Sequence, residues 1–185
     1  MEKQFCWWTL KTFHGFRYLQ VANIKKRNYQ HSYTQGKSAM RTVIQRVKES
    51  KVTVNNKIIG EISHGLLLLV GIGEGDTEEE VDWQAEKITK LRIFEDENDK
   101  MNRSVKDVSG GILVVPQFTL YGDASKGTRP SFIKAANPDI AEKLYERMIR
   151  KFKSLTELPV ESGKFGAYMD VSLINDGPVT IILER

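Results

Sequence analysis

A proline sits where two strand-like runs meet near the end of the chain. Met169-Asp170-Val171-Ser172-Leu173-Ile174 alternates, Thr180-Ile181-Ile182-Leu183-Glu184 resumes, and Asn175-Asp176-Gly177-Pro178-Val179 lies between them. Proline has no N–H to give to a ladder, so within sheets it is confined to edges, first positions and bulges. The pattern predicts a sharp turn, a bulge or a cis peptide at Gly177–Pro178. On local sequence alone, a simple hairpin turn remains an alternative to a functional break.

The rest of the chain limits what such a break can serve. Its 185 residues favour one domain, or one domain with an appendage. No continuous apolar run is longer than Gly65-Leu66-Leu67-Leu68-Leu69-Val70-Gly71-Ile72, which is too short to span a membrane and reads as a buried strand. Cys6 is the only cysteine, so intramolecular disulfides and Cys-rich metal sites are excluded; this suits a cytoplasmic protein. The net charge of +4 divides unevenly. Residues 1–39 hold seven Lys/Arg against Glu2, leaving 21 basic and 23 acidic residues, a net of −2, in 40–185. The body is therefore not a basic domain, and any nucleic-acid contact must be local.

Residues 1–39 carry eight of the aromatic side chains, among them Trp7, Trp8, Phe13 and Tyr18, without a sustained helix or strand period. They read as a basic, aromatic-containing extension outside the fold, with the folded domain spanning 40–185. A targeting segment and an RNA-binding arm built on Lys25-Lys26-Arg27 are the alternatives.

From Met40 the pattern predicts a β-hairpin through Asn55-Asn56 to Ile62, a third strand over Leu66–Ile72, and an amphipathic helix from Thr77 to about Arg92. Gly71-Ile72-Gly73-Glu74-Gly75-Asp76 lacks the ending and spacing of a phosphate loop and reads as a glycine-rich strand exit. Strand pieces are expected over Val105–Val108 and Ile112–Val115, then a polar interruption at Pro116-Gln117-Phe118-Thr119-Leu120-Tyr121-Gly122. A short helix over Ser131–Ala136 and a longer one from Pro138 to about Ser154 follow, the latter with Ile140, Leu144, Met148 and Phe152 as its buried stripe. Val160–Gly163, Phe165–Met169 and Val171–Ile174 then return to strand. The result is a mixed α/β body with strongly antiparallel local pairing.

Conventional catalytic side chains are scarce. Of the three histidines only His64 lies in the body, in a Ser63-His64-Gly65 turn, and the scattered acids form no recognisable ligand set. No metal or cofactor is called for. An enzyme built on this body would work with hydroxyls, amides and backbone donors.

Gln117-Phe118-Thr119-Leu120 and Asn175-Asp176-Gly177-Pro178-Val179-Thr180, together with Met40–Val47, Gly65–Gly75, Thr128–Phe132 and Phe165–Met169, resemble the D-aminoacyl-tRNA deacylase family over essentially all of Met40–Glu184. The resemblance implies a largely antiparallel, barrel-like β body with two main helices. It also implies a homodimer with its active site at the subunit interface, which hydrolyses the ester of D-aminoacyl-tRNA, and of glycyl-tRNA mischarged on tRNA-Ala, at the tRNA 3′ end. Neither membrane nor DNA is among the partners it implies. By carry-over, Gln117, Phe118 and Thr119 form the catalytic wall, with backbone N–H groups around Phe118 and Thr119 as an oxyanion site. In the family the Gly–Pro peptide is cis and enters the partner's pocket, so Gly177 and Pro178 would exclude L side chains. Arg46 would steady that motif, and Leu120, Ala167 and Met169 would shape the pocket. Thr119 is expected to position substrate while the tRNA 2′-hydroxyl assists water.

One position departs from the family: Pro116 stands where serine is common, which removes a hydroxyl and an N–H. The typical Gln117-Phe118-Thr119 keeps D-aminoacyl-tRNA as the expected substrate. The rival expectation is a non-catalytic tRNA- or RNA-binding module on the same fold.

Overall fold

The computed structural model describes residues 39–185 and, before them, the backbone of residues 11–13 and 16–18. The chain divides into two units, Met1–Thr34 and Gln35–Arg185. In the first, strands β1 (Lys11–Phe13) and β2 (Phe16–Tyr18) pair antiparallel. Three residues per strand are too few to display the period that the sequence lacked. Lys25-Lys26-Arg27 and most of the extension's aromatics lie outside the described residues.

The second unit runs through β3 (Arg41–Val54), β4 (Lys57–Ile62), β5 (Gly65–Gly71), α1 (Glu78–Thr89), β6 (Phe94–Glu95), β7 (Met101–Arg103) and β8 (Gly111–Pro116). A 3-10 turn (Phe118–Tyr121), α2 (Pro138–Leu155), β9 (Val160–Ser162) and β10 (Asp170–Glu184) complete it. The β3–β4 turn puts Asn55 and Asn56 at φ 49° and 60°, the left-handed pair that a two-residue hairpin requires and asparagine tolerates. Thr77 and Glu80 close a capping box at the start of α1.

Strand β3 is the spine of the sheet. One edge pairs with β10 along nearly its whole length; the other pairs with β5 through residues 41–47 and with β4 through 50–54, all antiparallel. The sheet continues β5–β8–β9 in parallel. Strand β4 also leans over β8 and β9: a Cβ on Gly60 would lie 2.9 Å from the Ser162 carbonyl oxygen and 3.2 Å from Leu113 Cδ1. The mixed α/β fold is thus a nearly closed barrel with two helices, as expected from the sequence.

Burial explains the leucine run. Leu66, Leu68 and Val70 belong to the cluster that includes Val81, Ile88, Met148 and Phe152 of the helices. Leu67 joins Val47, Val52, Leu113 and Val115 in a second cluster. A strand covered on both faces reads as continuously apolar rather than alternating.

Four local expectations are corrected. Residues 105–109 form a turn instead of a strand, because the Asp107 carboxylate accepts hydrogen bonds from the Ser104 N–H and hydroxyl, both at 2.7 Å. Residues 131–136 are not helical; Ser131 and Ala135 are drawn into bridges with Asp123 and Gly73. The buried stripe of α2 is Ala141, Leu144, Tyr145, Met148 and Phe152, while Ile140 is exposed. Phe165, Gly166 and Ala167 form a turn, with Gly166 at φ 69°.

Charged contacts fasten α2 to α1. Arg147 donates two hydrogen bonds to Asp82, at 2.9 and 2.8 Å, and pairs with Glu78 at 2.7 Å; Lys151 pairs with Glu86 at 3.0 Å. The Arg147 hydrogen bonds hold the Asp82 carboxyl below its ordinary 3.8, burial opposing them. Its contribution to stability is complete above the unfolded value and fades as pH falls through the lower folded value. Asp82→Asn should therefore cost about 1 kcal/mol at neutral pH, a Tm drop of about 2–4 °C, and should shrink the difference from wild type below pH ~4. A Tm–pH series would check this; acid limbs that stay parallel would count against it.

Candidate functional site

The break in the last strand is a bulge inside one continuous element. Along the β10–β3 ladder, Asn175 lies opposite Val47 and Thr180 opposite Gln45, so residues 176–179 face Arg46 alone. The Gly177–Pro178 peptide is cis, and Gly177 has φ 121°. Gly177 and Pro178 are exposed, Val179 turns inward and is buried, and the Val179 N–H donates to Asn175 Oδ1 at 3.0 Å.

Arg46 supplies what the ladder lacks here. It is only 4% exposed. Nε lies 3.0 Å from the Asp176 carboxylate and 3.2 Å from the Asp176 carbonyl; Nη1 donates to the Ile93 carbonyl at 2.7 Å, and Nη2 reaches Glu95 at 3.4 Å. A Cβ on Gly177 would lie 3.1 Å from Nη2 and 2.8 Å from Val179 Cγ2, so this position leaves no room for a larger residue without a shift.

A second polar element forms where β8 ends. The Gln117 N–H extends the parallel ladder to the Val70 carbonyl at 2.7 Å, and the Leu120 N–H returns to the Gln117 carbonyl at 3.3 Å. Between them, the N–H groups of Phe118 and Thr119 precede the first intrahelical bond and have no acceptor within the described residues. Two adjacent donors thus open off the end of the sheet. Phe118 is 60% exposed and Thr119 is exposed, while Gln117 Nε2 donates to Thr119 Oγ1. Pro116 fits because β9 pairs with β8 only through Val114, so its missing N–H interrupts no β8–β9 ladder.

Neighbouring groups fix this corner. Arg41 donates to the Leu120 carbonyl at 3.0 Å, and Tyr121, buried, donates its hydroxyl to the Ala39 carbonyl at 2.7 Å. Met169 Sδ and Pro116 Cδ converge on Gly163, where a Cβ would lie 2.8 and 3.4 Å from them, which places Met169 beside the β8 end. Ala167 is half-buried in the neighbouring turn. The sequence had assigned no role to Arg41, nor to Phe132, whose ring packs edge-on against Phe118 at 5.2 Å. Partners 79 and 14 residues apart carry no local signal of contact.

The structure brings Gln117, Phe118, Thr119, Leu120 and Met169 to one end of the sheet, and Arg46, Gly177 and Pro178 to another place. Between β10 and β8 stand β3 and β5, about 14 Å at strand spacing. The register adds about 13 Å along the strands, because Arg46 is level with Leu66 whereas Pro116 is level with Val70. His64 lies at the opposite end of β8 from the motif, roughly 20 Å away by strand rise, with its Nε2 2.9 Å from the Val108 carbonyl oxygen. It cannot serve Thr119 as a base. Among the described residues, no cluster of three or more His, Cys, Asp or Glu could hold a metal ion, and no helix is long and apolar enough to cross a membrane.

The model of a family described as D-Tyr-tRNA(Tyr) deacylase matches residues 43–184. A curated D-aminoacyl-tRNA deacylase of an Exiguobacterium species is 58% identical over 146 residues, covering 79% of this chain and 99% of the relative. One of Thermotoga petrophila is 57% identical over 145 residues, covering 78% and 97%. Among solved structures, a c-Myc DNA unwinding element binding protein superposes with a TM-score of 0.74 at 41% identity, covering 78% of this chain and 98% of that one. A probable eukaryotic D-amino acid tRNA deacylase, at 20% identity and a TM-score of 0.68, shares the fold.

Removing the Arg46 guanidinium would leave the Asp176 carboxylate and the Ile93 carbonyl without their donor. Arg46→Ala should destabilise the protein by about 3–5 kcal/mol, and Arg46→Lys by less, since an ammonium keeps the charge beside Asp176 but cannot span all four acceptors. Denaturant titration measures the loss, and amide exchange at Val179 and Thr180 should accelerate first. A change below about 0.5 kcal/mol in Arg46→Ala would refute the anchoring role.

Proposed function

We propose a mechanism from the premise that this chain belongs to the D-Tyr-tRNA(Tyr) deacylase family. It is a hydrolase acting on D-aminoacyl-tRNA. The observation that carries the mechanism is the pair of N–H groups at Phe118 and Thr119, left open between the bonded amides of Gln117 and Leu120.

The ester carbonyl carbon of the aminoacyl group lies against this wall. As water adds, negative charge gathers on the carbonyl oxygen, and the Phe118 and Thr119 N–H groups stabilise it without having to reorganise. The neighbouring 2′-hydroxyl of the terminal ribose assists the attack by proximity. Collapse of the tetrahedral species breaks the bond to the ribose 3′-oxygen, which takes a proton; the products are the free amino acid and tRNA. Thr119 positions substrate: its hydroxyl accepts from the Gln117 amide, and the one described histidine is too far away to activate it. Leu120, Ala167 and Met169 shape the amino-acid pocket beside it.

Stereochemistry is read by the Gly177–Pro178 element of a second copy. Two features support this. Within one chain the two motifs lie on different strands with β3 and β5 between them. Strand β10 also exposes the apolar side chains of Leu173, Ile174 and Ile182, at 36%, 50% and 67%, as surface for a symmetric partner. The backbone carbonyls of Gly177 and Pro178 would occupy the space of an L side chain, so D-aminoacyl esters and glycine, including glycyl-tRNA mischarged on tRNA-Ala, are accepted by exclusion of the alternative. A cytoplasmic setting, where aminoacyl-tRNA is used, belongs to the same proposal. The relative named for a DNA unwinding element raises DNA as a partner, but residues 40–185 carry a net charge of −2 and give duplex DNA no overall attraction.

The full chain should hydrolyse D-tyrosyl-tRNA at least ~100-fold faster than L-tyrosyl-tRNA, a difference of about 2.7 kcal/mol in barrier. Binding of tRNA without turnover of either ester would instead favour a non-catalytic module, and turnover of small esters with an acyl-enzyme intermediate a Thr119 nucleophile. Pro178→Ala should narrow the D/L ratio about tenfold or more while leaving Tm within a few degrees. An unchanged ratio in the folded variant would sink the filter.

A further inference from the structure

The basic residues of the described chain are not equally available. On α2, Arg147 and Lys151 are held by Asp82, Glu78 and Glu86, and Arg150 by Glu146 at 3.3 Å. The Lys106 ammonium is capped by the Leu155 carbonyl at 2.7 Å. Residues 122–136, directly after the 3-10 turn, differ. They carry Lys126, Arg129 and Lys134 against Asp123 alone, all exposed; the charges of Lys134 and Lys126 reach Asp123, but none of the three cations makes a close ion pair among the described residues. A local charge of +2 thus stands on a body whose balance is −2.

This segment is fastened at both ends. Asp123 and Ser131 exchange backbone hydrogen bonds of 2.8 and 2.9 Å across its neck. The Glu74 N–H donates to the Lys134 carbonyl and the Ala136 N–H to the Ile72 carbonyl, both at 3.0 Å. Ser125 caps the Asp123 carboxylate, its N–H donating at 2.9 Å, so that acid is partly satisfied within its own loop. At the base, Phe132 stands edge-on to Phe118, and the two rings remain 37% and 60% exposed. Gly122 lets them approach: a Cβ there would lie 3.1 Å from Phe132 Cε1. The exposed aromatic pair therefore joins the residue that carries an open N–H, Phe118, to the segment that carries the three cations.

Exposed rings beside an excess of exposed cations are what single-stranded nucleic acid requires, the rings for base faces and the cations for phosphates. We propose that residues 122–136 and the Phe118–Phe132 pair dock the single-stranded 3′ end of tRNA just before its esterified adenosine, Lys126, Arg129 and Lys134 engaging phosphodiester oxygens and the rings a base. This rests on the deacylase function of the adjoining wall and adds the surface that distinguishes a tRNA ester from a small one. A duplex cannot press its bases onto the rings, so the occupant is unpaired.

The test compares two substrates of the full chain, D-tyrosyl-tRNA and 3′-O-(D-tyrosyl)adenosine, which lacks the preceding phosphates. In the combined variant Lys126→Ala, Arg129→Ala and Lys134→Ala, kcat/KM for the tRNA ester should fall about tenfold or more through KM, and the slope of log(kcat/KM) against log salt should lessen by up to about 2. Turnover of the adenosine ester should stay within about twofold of wild type. Lys126→Arg, Arg129→Lys and Lys134→Arg together should restore most of the tRNA activity. Equal loss on both substrates, or no loss on the tRNA ester, would overturn the docking role while leaving the deacylase function standing. A wild-type chain inert on both esters would instead overturn the function and the docking with it.

Discussion

A buried guanidinium holds this structure to its purpose. Moving a charge of that kind out of water costs several kcal/mol unless every donor finds an acceptor. Arg46 offsets that cost by giving each of its three nitrogens an acceptor and so joining two separated pieces of chain to its own strand β3: Ile93 and Glu95 at β6, and the bulge at Asp176. Residues 176–179 make no register pairs with β3, so without Arg46 the middle of β10 would have lost its ladder and gained nothing in return. The fork geometry matters because carbonyl and carboxylate must be met at once by one planar group.

That anchoring places the Gly177–Pro178 element on an outer strand, with β3 and β5 between it and the open amides that follow β8. The wall is made at the far end of the parallel pair β5–β8, where the ladder stops and amides come free. One sheet thus builds two distinct elements in different places, each attached to regular structure rather than to a long loop. Under the proposed function, a second copy related by symmetry would bring the two elements together.

Much of this was legible in the sequence. The Asn55-Asn56 hairpin, the Thr77 cap, the leucine strand and the two helices follow from turn chemistry, capping and periodicity, all local signals. The Gly177–Pro178 break was legible as a break because proline cannot serve a ladder. The parallel pairing of β5, β8 and β9 was not, since the partners are separated by helices and loops, and nothing within a strand names its neighbour. The errors share a cause. Val105–Val108 looks like a strand by composition, yet Asp107 folds it back on Ser104. The Ser131–Ala136 segment has helix-compatible residues but is claimed by bridges to Asp123 and Gly73. Within the candidate site, Gln117–Leu120 and Gly177–Pro178 were singled out by their motifs, whereas Arg41 and Phe132 depend on contacts that only the folded chain creates.

The bulge has a further effect on what β10 can join. An outer strand with apolar side chains is an invitation to sheet extension, and repeated extension leads to fibres instead of closed assemblies. Pro178 offers no N–H, and the backbone around it leaves the plane of the ladder, so a strand laid along this edge would lose its hydrogen bonds midway. The same four residues that interrupt the strand therefore also guard it: the sheet cannot grow uninterrupted past residues 176–179.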